Sequence, residues 1–204
     1  MDAYESLIFQ LRDDDIIKST VIFEAFLTMH RCHFVANADE SSIALDCPIP
    51  IGFGQTNSQP RTVAMMLEWL SPQPNDQILD IGCGSGWTSA LLGHIVGERG
   101  HIIGLDRIPE LVALASRNVS KFNLPQVHID LAGQAIGQPH QTFDRILVSA
   151  AAETFPQALL SQLKPNGILV IPVKNTIFRI QKDDQHHITE DRFEGFRFVP
   201  LIGF

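Results

Sequence analysis

The chain has 204 residues, 45% of them hydrophobic, which suits one domain with a sizeable core and is unlike a disordered chain. Fifteen Lys and Arg against 23 Asp and Glu leave a formal net charge of -8. No Lys/Arg cluster stands out, which argues against a nucleic-acid substrate. The start, Met1-Asp-Ala-Tyr-Glu5, lacks the basic and apolar regions of a signal peptide, and no apolar run is long enough to span a membrane. Cys32, Cys47 and Cys83 form no C-x-x-C pair. Their odd number fits a reduced, cytoplasmic compartment better than a disulfide framework.

Tyr4, Leu7, Ile8 and Leu11 recur at helical spacing, as do Ile22, Ala25, Phe26 and Met29, so the chain to about Val35 is predicted helical. Asp13-Asp14-Asp15 reads as a solvated turn or helix cap. Ala36 to Pro60 is rich in Ser, Pro, Gly and Asp with little periodicity and reads as a long loop, a kind of segment that is often functional. From Arg61 the rhythm changes. A helix is predicted over Thr62–Leu70 and a turn over Ser71–Asp76. A strand at Ile78–Ile81 precedes a helix at Thr88–Val96, and a second strand, His101–Leu105, ends at Asp106. Pro109 opens a helix carrying Leu111, Leu114, Ala115 and Val119. Strands follow at Val127–Leu131 and Arg145–Val148, then a helix at Pro156–Leu163 and a strand at Gly167–Val173. Ile177–Lys182 and Phe196–Leu201 are further predicted strands, separated by a polar turn region. This alternation predicts an α/β fold with a doubly wound, mostly parallel sheet.

Within it, Ile78-Leu-Asp80-Ile-Gly82-Cys-Gly84-Ser-Gly86-Trp87 is a strand, a glycine-rich turn and a helix start. Such a turn exposes backbone N–H groups and lets a ligand approach the main chain. The spacing is G-x-G-x-G rather than the G-x-G-x-x-G of dinucleotide-binding loops. Asp106 ends the next strand, where a carboxylate can accept both hydroxyls of a ribose, or cap the Pro109 helix, or do both. The polar stretch Gln55-Thr56-Asn57-Ser58-Gln59-Pro60 offers Thr56, Ser58 and Gln59 as donors. On composition alone, capping of the following helix is the favoured role of this stretch. His30, Cys32 and His33 lack a second cluster to complete a metal site, so no metal is expected. Cys83 is given no nucleophilic role, and His186-His187 lies in a polar turn. Trp69 reads as packing, while Trp87 could border a cofactor.

The segment Gly54-Gln55-Thr56-Asn57-Ser58-Gln59-Pro60 resembles the GQT-x-S-QP signature of protein-L-isoaspartate O-methyltransferases, and Asp80–Gly86 resembles the nucleoside-methionine loop of class I methyltransferases. The similarity runs over most of the chain. It includes Met29-His-Arg31-Cys-His-Phe34-Val35, Pro48-Ile-Pro-Ile-Gly52, Asp106-Arg107-Ile-Pro-Glu-Leu111, Phe143–Ala152, Leu163–Gly167 and Phe198-Val-Pro-Leu201. The chain is identified as a divergent, bacterial-type member. The resemblance implies a Rossmann-like core over 61–204, with 1–60 as a helical segment and substrate-side loop packed on it in one compact domain. It implies methyl transfer from S-adenosylmethionine, leaving S-adenosylhomocysteine, to the α-carboxylate of isoaspartyl residues in damaged proteins; the ester then closes to a succinimide. It implies Ser58, Thr56 and Gln59 at the acceptor, and the Phe198–Leu201 backbone along the peptide. Asp80, Gly82, Gly84, Gly86, Asp106, Arg107, Gly133 and Gln134 are implied at the cofactor. Three positions depart from the family pattern. Asn57 replaces an apolar residue, Ala44 an aromatic one, and Ala132-Gly133-Gln134 stands for Gly-Asp-Gly, so the acid that meets the adenine amino group is missing at Gly133. Gln134 offers a carbonyl acceptor instead. A methyltransferase with a changed acceptor and a non-catalytic cofactor-binding relative are the alternatives. Nothing in the sequence sets an oligomeric state.

Overall fold

The computed structural model describes residues 2–35 and 38–203. Helices α1 (Ala3–Asp13) and α2 (Thr20–Thr28) bury the residues whose spacing predicted them: Tyr4, Leu7, Ile8 and Leu11 on one, Ile22, Ala25 and Phe26 on the other. Asp2 and Glu5 form a reciprocal capping box at the start of α1. Asp14 follows α1 as its C-cap and pairs with Arg61 at 3.0 Å.

The segment 36–60 departs from the predicted loop. Residues 36 and 37 lie outside the described residues. The remainder holds a one-turn helix, α3 (Glu40–Ile43), and an antiparallel hairpin of β1 (Ile49–Gly52) and β2 (Gln55–Asn57). Phe53 and Gly54 form its two-residue turn with φ of 55° and 70°, the handedness that matches the twist of paired strands.

The remaining elements are α4 (Pro60–Leu70), β3 (Gln77–Ile81), α5 (Trp87–Val96), β4 (His101–Asp106), α6 (Pro109–Val119), β5 (Val127–Leu131), β6 (Phe143–Val148), α7 (Ala158–Ser161), β7 (Leu163–Val173), β8 (Thr176–Lys182) and β9 (Ile188–Glu194). The seven-stranded sheet runs β5-β4-β3-β6-β7-β8-β9. The first five strands are parallel, and β8 and β9 are antiparallel to their neighbours. Parallel strands are covered on both faces, and Ile78, Leu79, Ile146 and Leu147 are accordingly at most 1% exposed. From β3 the chain winds outward to β5, then returns to β6 on the other side of β3. That reversal opens a crevice at the carboxyl ends of β3 and β6, where open α/β sheets bind ligands.

The largest differences from the expected boundaries lie in the C-terminal part of the chain. Helix α7 is a single turn rather than the whole of Pro156–Leu163, and β7 starts at Leu163 instead of Gly167, passing through Asn166 at a φ of 61°. The last strand is Ile188–Glu194, not Phe196–Leu201. The latter is an irregular segment held by Ala151, whose N–H donates to the Val199 carbonyl and whose carbonyl accepts from Leu201, both at 2.8 Å. Trp69 packs as expected, stacked on Phe193 at 3.8 Å. Among the described residues no helix is long and apolar enough to cross a membrane.

Candidate active site

The glycine loop, which follows β3, is held by the end of β4. The N–H groups of Gly82 and Cys83 donate to the Leu105 carbonyl at 2.8 and 3.0 Å, and that of Gly84 donates to Oδ2 of Asp106 at 3.0 Å. The other oxygen of Asp106 accepts from the Ile108 N–H at 3.0 Å. Ile108, not Asp106, is the N-cap of α6, so the acid braces the loop rather than capping the helix. Gly84 has a φ of 55°, and a Cβ there would meet Ile51 Cδ1 at 3.2 Å. The hairpin therefore lies directly over the loop, and a side chain at 84 would strain the backbone and crowd the hairpin. A Cβ on Gly86 would meet Ala115 Cβ at 3.0 Å and its Cα at 3.1 Å. The small residue there lets α5 approach α6 and faces that helix.

Asp80 sits beneath the loop, fully buried. Its Oδ2 accepts the hydroxyls of Thr88 and Ser89 at 2.6 and 2.7 Å, and its Oδ1 has no hydrogen-bond partner. Burial, partly offset by those hydroxyls, pushes its carboxyl up to about 6. Cys83 is also buried, which raises its thiol well above the usual value and keeps it unreactive at neutral pH.

Hairpin and loop line an open cleft between them. Thr56, Asn57 and Ser58 line one wall, Gly82 to Ser85 the floor, and Trp87, Asp106, Ser149 and Val199 the rest. A second cavity shares Gly82 and Asp106 and continues past Arg107, Ile108 and Ala132 to Leu201. A third, outer groove holds Thr56, Ser58 and Gln59 opposite Arg197, Phe198 and Val199. Thr56 and Ser58 thus stand between the cleft and the outer groove. The N-cap of α4 is Gln59, with no side-chain capping bond, so the expected capping role of the stretch before that helix is not realised. Gly133 and Gln134 are exposed and follow Ala132, which lines the second cavity.

Arg31 is a functional candidate that residue-level reading missed. Its side chain is fully buried. Nε donates to Asn57 Oδ1 at 2.7 Å and Nη1 to the Leu45 carbonyl at 3.1 Å. Nη2 donates to the carbonyls of Cys47, Ser58 and Asn57 at 2.7, 2.9 and 3.2 Å. The guanidinium lies 5.6 Å from the Trp87 ring centroid. Burial brings it down to about 10, which leaves it charged at neutral pH. Its sequence signal was only the Arg…Phe-Val similarity, because its partners are scattered over residues 45–58.

The histidine segment is structural: His30 Nε2 meets Asp2 at 3.1 Å and its ring tilts against Tyr4 at 4.2 Å. No group of three or more His, Cys, Asp or Glu that could hold a metal occurs among the described residues.

The family model described as protein-L-isoaspartate(D-aspartate) O-methyltransferase (PCMT) matches residues 2–203. The chain belongs to this family. It is 38% identical to the protein-L-isoaspartate O-methyltransferase of Methanopyrus kandleri, covering 98% of this chain and 92% of that one. It is 36% identical to that of Pyrococcus horikoshii, covering 99% and 94%. A Plasmodium falciparum crystal structure assigned to PCMT, in complex with S-adenosyl-L-homocysteine, superposes with a TM-score of 0.88 at 24% identity, covering 98% and 99%. That likeness establishes the PCMT fold, a class I methyltransferase sheet with the N-terminal helices described above. Against the PCMT pattern, the departures at 44 and 57 now have places: Ala44 ends α3 as its C-cap, and Asn57 is buried between Arg31 and the glycine loop.

Proposed function

We infer that this enzyme transfers a methyl group from S-adenosylmethionine to the α-carboxylate of L-isoaspartyl residues in damaged proteins. The observation that carries this reading is the place of Ser58, on the GQTNSQP segment, between a cleft built on the glycine loop and a groove open to a peptide.

The residues present fit the cofactor. The positive-φ backbone of Gly82 and Gly84 leaves room for its amino-acid end, with the orphaned Asp80 oxygen beneath. Each Asp106 oxygen retains a lone pair for a ribose hydroxyl after accepting one backbone N–H. Ile108 and Ala132, which line the second cavity with Arg107, would hold the cofactor's adenine. When bound, the cofactor supplies an electrophilic methyl carbon on a sulfonium.

The acceptor is a carboxylate, already ionised at neutral pH, so the enzyme needs no strong base. Its work is to strip water from the carboxylate and aim one oxygen at the methyl carbon. In this reading the Ser58 hydroxyl donates to the other oxygen, and Thr56 and Gln59 shape the same pocket. The buried Arg31 charge lies behind Ser58 without a carboxylate neighbour in its hydrogen-bond set, so its field favours an anionic acceptor. Arg197 is the charged residue lining the outer groove and draws the anion inward. Titration calorimetry with S-adenosylhomocysteine and a tritiated-methyl assay on an isoaspartyl peptide test this together. Binding with transfer is expected; binding without transfer would move the acceptor to another carboxylate or hydroxyl.

A further inference from the structure

The hydrogen bonds around Asn57 form a link across the two halves of the site. Arg31 can only donate, so its Nε fixes the Asn57 amide oxygen at 2.7 Å. The same assignment turns Nδ2 toward Oγ of Ser85, 3.1 Å away in the glycine loop. Ser85 is held from its other side by Asn118, whose Nδ2 donates to the Ser85 carbonyl at 3.0 Å. Asn57 and Ser85 are 4% and 2% exposed, where a polar contact has few competitors from water. Asn57 directly precedes Ser58, and Arg31 also grips the Ser58 carbonyl. An apolar residue at 57 would leave Nε of a buried guanidinium without this acceptor.

We propose that Asn57 is a positioning residue for methyl transfer: its amide locks the Ser58-bearing hairpin to the glycine loop at a set spacing. The proposal rests on the acceptor reading above. The two walls of the cleft come from segments about thirty residues apart in sequence, and each binds one reactant. A misplacement of about 1 Å between reactants can cost a hundredfold in rate. The link acts on alignment, not on either binding step alone.

The test is a kinetic double-mutant cycle on Asn57→Ala, Ser85→Ala and the double variant, with Asn57→Asp as the conservative control. Single-turnover transfer to an isoaspartyl peptide gives the rate, and calorimetry gives S-adenosylhomocysteine affinity. Each single change is expected to lower kcat roughly tenfold with cofactor affinity close to wild type, and the double variant to be no slower than the slower single. Asn57→Asp still accepts from Arg31 and can accept the Ser85 hydroxyl proton, so it should recover most of kcat, with a raised KM from its negative charge. Losses that multiply in the double variant, or a change confined to KM, would overturn the proposal. Ser85→Ala leaves the Arg31–Asn57 bond in place, so an unchanged kcat in that variant overturns it even where Asn57→Ala fails to fold. A wild-type enzyme that binds S-adenosylhomocysteine and never methylates the peptide overturns the acceptor reading instead.

Discussion

The backbone N–H of Gly84 donates to Oδ2 of Asp106 at 3.0 Å, so the acid at the end of β4 holds the loop that follows β3. One carboxylate thereby shapes the floor of the cleft and faces the neighbouring cavity. Asp106→Ala removes the proposed ribose acceptor and the observed brace together. Hydrogen bonds to charged groups are worth about 1.5–3 kcal/mol, so S-adenosylhomocysteine should bind ten- to a hundredfold more weakly by calorimetry. Unchanged affinity would mean that the ribose lies elsewhere.

Ser58→Ala separates chemistry from cofactor binding. A donor to the acceptor carboxylate that matters more in the transition state is worth about 1.5–3 kcal/mol, so kcat should fall ten- to a hundredfold while cofactor affinity stays nearly intact. Equal loss of both would show that the residue only supports the hairpin.

The hairpin itself was the least legible part of the fold. Pro50, Gly52 and Gly54 break the alternation that marks strands, and the ribbon is too short to show a period. Strand β9 was hidden for the opposite reason. It is an edge strand with almost every residue exposed, so Thr189, Glu190, Asp191 and Arg192 carry no apolar face, and its charges protect the edge. The apolar Phe196–Leu201 run mimicked a strand while serving as a cover pinned to Ala151. By contrast β3 and β4 lay in the sequence almost to the residue, because buried parallel strands need continuous apolar runs, while the mostly exposed edge strand β5 showed through its alternating Val127, Ile129 and Leu131. The glycine loop and Asp106 were readable as a pair. Arg31 was not, since all but one of its acceptors are backbone carbonyls that no side-chain pattern records.

Gly133 offers a gain-of-affinity test. It is exposed, and a Cβ there would meet nothing within 4 Å, so Gly133→Asp should fold normally. If the aspartate supplies the acid that the family pattern places beside the adenine amino group, S-adenosylmethionine should bind about tenfold more tightly, or 1.4 kcal/mol. Equal or weaker binding would show that another group already serves adenine.

Asp80 predicts a pH signature in the cofactor-free protein. Its folded carboxyl is raised to about 6 from an ordinary 3.8. The folded state therefore holds this proton more tightly than the unfolded one. The stability it contributes is complete below about pH 4 and is lost as pH rises through 6. In urea unfolding, relative to Asp80→Asn, the wild type should lose roughly 2 kcal/mol between pH 4 and 6, and about 3 kcal/mol from pH 3 to above pH 7. Parallel profiles for the two proteins would mean that the carboxylate is better solvated than its burial implies.

The proposed acceptor is an isoaspartyl carboxylate presented at Ser58. Its most direct measurement is tritiated-methyl transfer to a matched pair of peptides that differ only in carrying isoaspartate or aspartate at one position. Saturable transfer to the isoaspartyl peptide is expected, with none above background to its partner and the label lost on mild base as for a methyl ester. Equal labelling of both peptides, or of neither by an enzyme that binds S-adenosylhomocysteine, would contradict this assignment of the acceptor.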